Sequence, residues 1–327
     1  MTVVLSAYNG ARHIAEQIES IRGQSFKEWK LIVRDDGSSD ETVAVVNELI
    51  ARDPRISLMQ DSLARQGPSG SFEALLEIAY ADGAQVVFLC DQDDVWLPRK
   101  MDQELSLLAA ETARKGAEHP LLVHSDLEVV DETLLLIHPS FSEFQRMSYN
   151  ETDPLRTLLI HNAVVGCTVA ANRALLEFAL PIPADSPHDW WLAICAAATG
   201  GVARADNATV RYRQHATNVI GAVNRHAFVR DLVRNPISFV ASSFRAFNVG
   251  VEQARNLRDR MRLKGLDRDA VFARVDRYCD AFAGEVTMPS RLRALRESRA
   301  RPQRAVSRVI LYGLAAVFPQ ARSRLGL

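Results

Sequence analysis

Three carboxylates within four residues are the densest chemical signal in this 327-residue chain. Asp91, Asp93 and Asp94 follow the apolar run Val86–Cys90. Neighbouring carboxylates repel one another unless a cation lies among them. Because Mg²⁺ is usually held by one or two carboxylates together with substrate phosphates, an Asp-x-Asp pair on a loop indicates a cation bound to a diphosphate. A solvated acidic turn or a helix N-terminus would use the same residue types.

A fourth carboxylate opens a helical pattern much later in the chain. Asp189 lies in the sequence His188-Asp-Trp-Trp191. It would serve either as a helix N-cap or as a general base in a pocket walled by the two tryptophan rings. The residue types do not separate these roles, and one side chain could fill both.

Two further candidates follow a strand that we predict over Thr209–Tyr212. The planar guanidinium of Arg213 matches the geometry of a phosphate group. His215 could be a metal ligand, a phosphate donor or an ordinary loop histidine, and taken alone the last role is the commonest.

Strand and helix patterns alternate before these residues. Strands are predicted over Val3–Leu5, Leu31–Val33, Ile56–Met59, Val86–Cys90 and Leu121–His124, and helices over Ile14–Ile21, Thr42–Arg52, Phe72–Ala79 and Lys100–Ala113. The alternation predicts an α/β fold with a mostly parallel sheet flanked by helices. Polar clusters at Asp35–Asp40, Asp91–Asp94 and Ser125–Asp126 follow three strands, at the sheet edge where such folds bind ligands.

The elements that follow are less regular. We expect a strand over Ala163–Ala170 and helices over Asn172–Ala179 and Asp189–Ala198. Ser69–Ser71 would provide the N-cap region of the third early helix.

Charge divides the chain into two parts. The net charge is −1, but residues 225–327 hold 21 basic and nine acidic residues, a net of +12. The other 18 basic and 31 acidic residues give −13. We therefore predict a domain over 1–223 and a helical, basic region over 224–327. Within that region Val309–Phe318 is shorter than the about 20 residues of a membrane span, so it is either an interfacial helix on an anionic membrane or a packed terminal helix.

Composition restricts the class of protein. A hydrophobic fraction of 47% and a charged fraction of 24% exclude wholesale disorder and a small disulfide scaffold. None of Cys90, Cys167, Cys195 and Cys279 lies within four residues of another, so we expect buried, reduced thiols. The N-terminus lacks the pattern of a signal peptide, and we expect a cytoplasmic location.

Four motifs taken together resemble the family-2 glycosyltransferases, which have the GT-A fold, a Rossmann-like sheet. They are Val4–Gly10 (VLSAYNG), Val33–Asp40 (VRDDGSSD), Phe88–Pro98 (FLCDQDDVWLP) and Tyr212–Gly221 (YRQHATNVIG). The resemblance covers roughly Thr2 to Ala222 and is strongest to rhamnosyltransferase-like bacterial enzymes of surface-polysaccharide synthesis.

The resemblance implies a donor site. Tyr8 would stack on the nucleotide base, and Asp36 would hydrogen-bond its pyrimidine edge. Gly70 would lie near the donor sugar. The complete set of implied donor-binding residues is Tyr8, Asn9, Asp36, Gly70, Asp91 and Arg213.

The resemblance also implies a metal site and a base. Asp91 and Asp93 would be the metal-binding Asp-x-Asp for Mg²⁺ or Mn²⁺, with His215 helping to hold the metal or the diphosphate. Asp189 lies where the family places its catalytic base, although the family often has Glu-Asp where this chain has His188-Asp189.

These expectations define an inverting, metal-dependent hexosyltransferase. It would move a sugar, rhamnose by resemblance, from a nucleotide-diphosphate donor to a saccharide or lipid-linked saccharide acceptor. We expect no nucleic-acid partner and a place at the inner face of the plasma membrane. The alternative is a non-catalytic carbohydrate- or nucleic-acid-binding protein that uses the basic region. Dehydrogenase and nucleotidyltransferase functions are disfavoured because the first loop lacks a glycine-rich phosphate motif.

Overall fold

Two units make up the chain. The computed structural model describes residues 1–59, 61, 65–147, 150–184, 186–215, 236–283 and 286–300, the side chains of 236–243 excepted. The first unit comprises residues 1–147, 164–196 and 201–222, and the second comprises 148–163, 197–200 and 223–327. The predicted boundary between 223 and 224 stays a prediction.

A mixed sheet forms the first unit. Its described strands are β1 (Thr2–Ala7), β2 (Lys30–Asp35), β3 (Ile56–Leu58), β4 (Val86–Cys90), β5 (Val95–Trp96), β6 (Leu122–Val130), β7 (Leu136–His138), β8 (Ala170–Asn172) and β9 (Val202–Arg213). Their order is β3-β2-β1-β4-β8-β6-β9-β5, and β7 pairs with β6. The α/β class and the sheet flanked by helices are therefore confirmed.

The first four strands of this order are parallel. β1 pairs in parallel with both β2 and β4, and β2 pairs in parallel with β3. β4 lies inside the sheet, between β1 and β8. All five of its side chains are buried, as its continuous apolar run predicts. The carboxyl ends of β1, β2 and β4 consequently meet at one edge, where they carry the loops that start at Tyr8, Asp36 and Asp91.

Helices connect and cover the strands. In the first unit they are α1 (Ile14–Arg22), α2 (Thr42–Ile50), α3 (Gly67–Ala81), α4 (Lys100–Lys115), α5 (Phe141–Phe144), α7 (Arg173–Ala179) and most of α8 (His188–Ala198), and α6 (Leu155–Leu158) belongs to the second unit. α3 begins at Gly67, so the expected N-cap at Ser69–Ser71 is wrong. Pro68 occupies the first turn, where its fixed φ favours the helix and its missing N–H costs nothing.

Two other expectations need correction. Ser125 and Asp126 lie inside β6 and not at the end of a strand, since β6 continues to Val130. Asp126 instead accepts hydrogen bonds from Ser140, Ser142 and Arg204. Most of Ala163–Ala170 is not a strand: a 3₁₀ turn over Gly166–Thr168 precedes the short β8. β8 is antiparallel to both neighbours, which local periodicity could not predict.

Helices dominate the described part of the second unit. They are α9 (Pro236–Leu263), α10 (Ala270–Ala281) and α11 (Met288–Glu297). Aromatic rings pack between α9 and α10, and the Phe247 and Phe282 centroids are 5.2 Å apart. No helix among the described residues is both long and apolar enough to cross a membrane. The run Val309–Phe318 lies outside the described residues.

Candidate active site

The loops after β1 and β2 are tied together by Asn9. Its backbone is left-handed, with φ of 50°, a conformation that asparagine tolerates better than most residues. Its N–H donates to Ser38 Oγ at 2.8 Å, and its Oδ1 accepts from the Ser39 N–H at 2.8 Å. The predicted donor residue Asn9 therefore fixes the shape of this edge of the sheet.

A side-chain amide joins the first loop to the acidic loop. Gln92 accepts from the Tyr8 N–H at 2.8 Å and donates to the Tyr8 carbonyl at 3.0 Å. A Cβ at Gly10 would lie 2.2 Å from Gln92 Oε1, so any larger residue there would displace the amide that bonds Tyr8. The Tyr8 ring is half-buried, and the Arg65 guanidinium lies 3.8 Å from its centroid. Gln92 and Arg65 were not among the predicted site residues.

Asp36 lies at the same edge but is buried. Its Oδ1 accepts from Arg34 at 2.6 Å and from the Gln66 N–H at 2.8 Å, and its Oδ2 accepts from the Gly67 N–H at 2.8 Å. These bonds fasten the start of α3 to the end of β2. A pyrimidine N–H would have to share an oxygen that already accepts a hydrogen bond, so base recognition by Asp36 stays a prediction.

Gly70 lies in the first turns of α3, beside the end of β1. The adjacent Ser71 accepts a hydrogen bond from Ser6 at 2.8 Å. A Cβ at Gly70 would lie 2.8 Å from the Cβ of Gln66, so the close turn requires glycine. The predicted contact of Gly70 with the donor sugar is not tested by this packing.

The acidic residues form one electrostatic cluster. Burial, followed by the charges of Asp93 and Asp189, raises the pKa of Asp91 to about 7. Burial, with the charges of Asp93 and Asp91, raises the pKa of Asp94 well above its usual range. The structure thus brings the predicted metal-binding residues Asp91 and Asp93 together with the predicted base Asp189, although Asp189 follows them by about a hundred residues.

The residues around Asp91 fit a divalent cation. The ligand atoms of Asp91, Asp94 and Cys167 all lie within 4.8 Å of one another. Asp94 Oδ2 is buried with no hydrogen-bond partner among the described residues, which is costly for a polar atom unless something else binds it. Carboxylate oxygens suit hard cations, and a thiolate suits softer ones. Asp94 and Cys167 were not among the predicted metal ligands, and the predicted ligands Asp93 and His215 are not members of this group. All four cysteines are buried and form no disulfide, as expected.

Arg213 and His215 lie against the acidic loop. Arg213 is 3% exposed and donates to the Asp93 carbonyl at 2.9 Å, the Glu132 carbonyl at 2.6 Å and Glu16. Its guanidinium therefore already binds three acceptors of the protein itself. The predicted contact of Arg213 with a diphosphate stays untested. His215 Nε2 lies 2.8 Å from Asp93 Oδ2, so the two predicted metal ligands are adjacent.

Asp189 lies in the first turn of α8, beside the 3₁₀ turn. Its Oδ1 accepts from the Trp190 N–H at 2.6 Å, and a Cβ on Gly166 would lie 3.8 Å from its Oδ2. Both tryptophans are buried, and Trp191 donates to the Ala179 carbonyl at 2.8 Å. A pocket walled by their rings stays a prediction. The ring that packs nearby is Phe72, which stacks on His188 at 4.1 Å.

Comparison with known proteins identifies related chains. The model of glycosyl transferase family 2 matches residues 2–172. A UDP-Glc:alpha-D-GlcNAc-diphosphoundecaprenol beta-1,3-glucosyltransferase of Escherichia coli, WfgD, is 28% identical over 59% of this chain and 69% of its own length. A GalNAc(5)-diNAcBac-PP-undecaprenol beta-1,3-glucosyltransferase of Campylobacter jejuni is 36% identical over 29% of this chain and 30% of its own length.

A solved structure shares the fold. The crystal structure of S. aureus TarS 1–349 in complex with UDP-GlcNAc superposes with a TM-score of 0.53. The superposition covers 99% of this chain and 91% of that chain, at 18% sequence identity. The chain therefore has the fold of GT-A transferases.

Proposed function

The chain belongs to glycosyl transferase family 2, and on that premise we propose that it transfers a hexosyl group with inversion from a nucleoside-diphosphate sugar to a hydroxyl of a lipid-linked saccharide. The observation that carries the proposal is the electrostatic cluster of Asp91, Asp93 and Asp189 at the carboxyl end of β4. Asp91 and Asp93 suit the binding of a cation together with its diphosphate, and Asp189 suits the role of proton acceptor.

The proposed transfer is a single displacement. The acceptor oxygen attacks the anomeric carbon as the bond from that carbon to the diphosphate oxygen breaks. Asp189 takes the proton from the attacking hydroxyl, and its place near Asp91 keeps the base beside the leaving group. One attack on one carbon inverts its configuration, and no covalent enzyme intermediate is needed.

A divalent cation, Mg²⁺ or Mn²⁺, is part of the proposal. Asp91 and Asp93 would hold it, with Asp94 or His215 completing the set, and it would neutralise the negative charge on the leaving diphosphate. Arg213 holds the carbonyl of Asp93 and so fixes the loop that carries these ligands. Asn9 and Gln92 fix the two loops on the nucleotide side.

The donor sugar and the acceptor are proposed from similarity. Resemblance to rhamnosyltransferase-like enzymes supports a deoxythymidine-diphosphate-rhamnose donor, and the names of two relatives support UDP-glucose instead. The same names support an acceptor linked to a polyprenyl diphosphate. We propose a cytoplasmic enzyme at the inner membrane face, with no nucleic-acid partner.

A donor panel and one pair of variants test the function. Thermal shift and donor hydrolysis with Mg²⁺, Mn²⁺ or EDTA should identify one nucleotide sugar that stabilises the protein only with a cation. Asp189→Asn should keep that stabilisation and lose about 10²- to 10⁴-fold in turnover. Asp82→Asn is the matched control, because Asp82 is an exposed carboxylate beyond the other end of α3. Full turnover in Asp189→Asn, or no response of the parent to any donor, would refute the proposal.

A further inference from the structure

An exposed apolar segment lies in the hairpin of β6 and β7, residues 122–138. Leu135, Leu136 and Ile137 are 68%, 59% and 50% exposed, and they follow one another directly in the chain. Leu134, just before them, has a left-handed backbone with φ of 68°, which is unfavourable for leucine and turns the chain tightly. A run of aliphatic side chains held in water at a hairpin tip indicates a surface that binds something apolar.

The continuity of these side chains indicates the kind of partner. β7 begins at Leu136, and Val130 pairs with Leu136 while Val129 pairs with His138, so Ile137 is the extra residue of a bulge. No polar residue interrupts the exposed run from Leu135 to Ile137. An uninterrupted apolar run at a hairpin tip suits an apolar medium that surrounds the tip, such as the acyl layer of a membrane.

The apolar area of this segment is too small to form a dimer interface by itself. Three half-exposed aliphatic side chains offer on the order of 200 Å² of apolar area. A stable protein interface buries about 800 Å² on each partner, several times more. Interfacial membrane binding has no such threshold, because a few inserted side chains already contribute.

The hairpin is joined directly to the acidic loop. The carbonyl of Glu132, in the hairpin turn, accepts from Arg213 at 2.6 Å, and the same guanidinium donates to the Asp93 carbonyl at 2.9 Å. Glu132 also pairs with Arg12 at the start of the first helical segment, at 3.0 Å. One buried side chain therefore connects the exposed tip to the loop of the proposed metal site.

We propose that Leu135–Ile137 insert into the acyl layer of a membrane and hold the acidic loop at its surface. There the saccharide of a lipid-linked acceptor would meet the donor while its lipid stays in the membrane. The inference deepens the proposed function and rests on it for the acceptor, whereas the membrane contact itself requires no turnover.

Vesicle flotation of the full chain tests this contact. The probe is a phosphatidylcholine vesicle, with and without phosphatidylglycerol, at low and at high salt. The test variant is the triple substitution Leu135→Thr, Leu136→Thr and Ile137→Thr, because threonine keeps the β preference of the strand. Leu263→Gln is the matched control, since Leu263 is 82% exposed on a different element.

The expected result is flotation of the parent and of Leu263→Gln on neutral vesicles at both salt concentrations. The triple variant should bind about 10- to 100-fold more weakly. Its donor hydrolysis without vesicles should equal that of the parent, which excludes misfolding. Equal flotation of the triple variant, parental binding that needs phosphatidylglycerol and low salt, or a dimer that the substitutions dissociate would each overturn the proposal. A parent that floats but hydrolyses no donor would refute the proposed function and leave the membrane contact standing.

Discussion

The half-buried carboxylate Asp91 should make the stability of the protein depend on pH, and a bound cation should remove this dependence. Its pKa is about 7 in the fold and 3.8 in its ordinary state, so the folded protein binds the proton more tightly. The stabilisation that this proton gives is complete below pH 3.8 and is lost as the pH rises through 7. The difference between these two pKa values corresponds to about 4 kcal/mol of unfolding free energy between the lowest and the highest pH.

A difference measurement removes the contribution of groups that do not interact with Asp91, and what remains belongs to Asp91 together with Asp94. Burial lowers the pKa of His124 to about 3, which makes stability rise over much of the same pH range. Urea unfolding in EDTA at about pH 5 and about pH 8 should therefore compare the parent with Asp91→Asn, because His124 is common to both. Between these pH values the parent should lose about 2.6 kcal/mol relative to the variant, because part of the full difference is already lost at pH 5.

The second half of the assay repeats the urea unfolding with Mn²⁺ in place of EDTA. At the higher pH a bound cation should restore the parent toward the stability of the variant, and it should have little effect on Asp91→Asn. Parallel pH dependences of the two proteins in EDTA would refute a raised pKa of Asp91. An equal effect of Mn²⁺ on both would remove Asp91 from the metal site.

Three other substitutions test the framework of the site. Gly10→Ala should lower donor affinity or stability because its Cβ meets Gln92, and Gly10→Ala combined with Gln92→Ala should recover stability in thermal unfolding. Lys100→Met should cost about 3–5 kcal/mol in urea unfolding because it leaves Glu104 buried and unpaired, and adding Glu104→Leu should recover most of that loss. Arg213→Lys should weaken cation binding in calorimetry by at least about tenfold, because an ammonium cannot reach all three acceptors of the guanidinium; unchanged cation affinity would exclude this anchoring role.

Local sequence patterns were sufficient to predict the strands that carry the acidic loops. β4 has the predicted bounds, since its five consecutive apolar residues between polar ones are all buried, as in a strand that is covered on both faces. α1 begins at the predicted Ile14, since its apolar residues recur with helical spacing. The loops after β1, β2 and β4 could therefore be placed at one edge from the sequence.

Contacts between distant segments could not be predicted in the same way. The 3₁₀ turn over Gly166–Thr168 brings Cys167 to Asp91 and Asp94, and no spacing rule links residues so far apart. Asp126 was expected at this edge, but a continuation of β6 and three hydrogen bonds turn it toward Ser140 and Arg204. The sequence shows that an arginine will prefer a carboxylate as its partner. It does not show which carboxylate the fold places beside that arginine.

The buried Arg213 also bears on the order in which the molecule assembles. Its partners Asp93 and Glu16 precede it by 120 and 197 residues, so the contacts that fix the acidic loop have a large sequence separation. Such contacts require the closure of long loops and form late in folding. During synthesis the first four parallel strands can pair before β9 leaves the ribosome, but the acidic loop acquires its final anchor only afterwards. Chains truncated before β9 should therefore retain the pairing of the first four strands and lack an organised site.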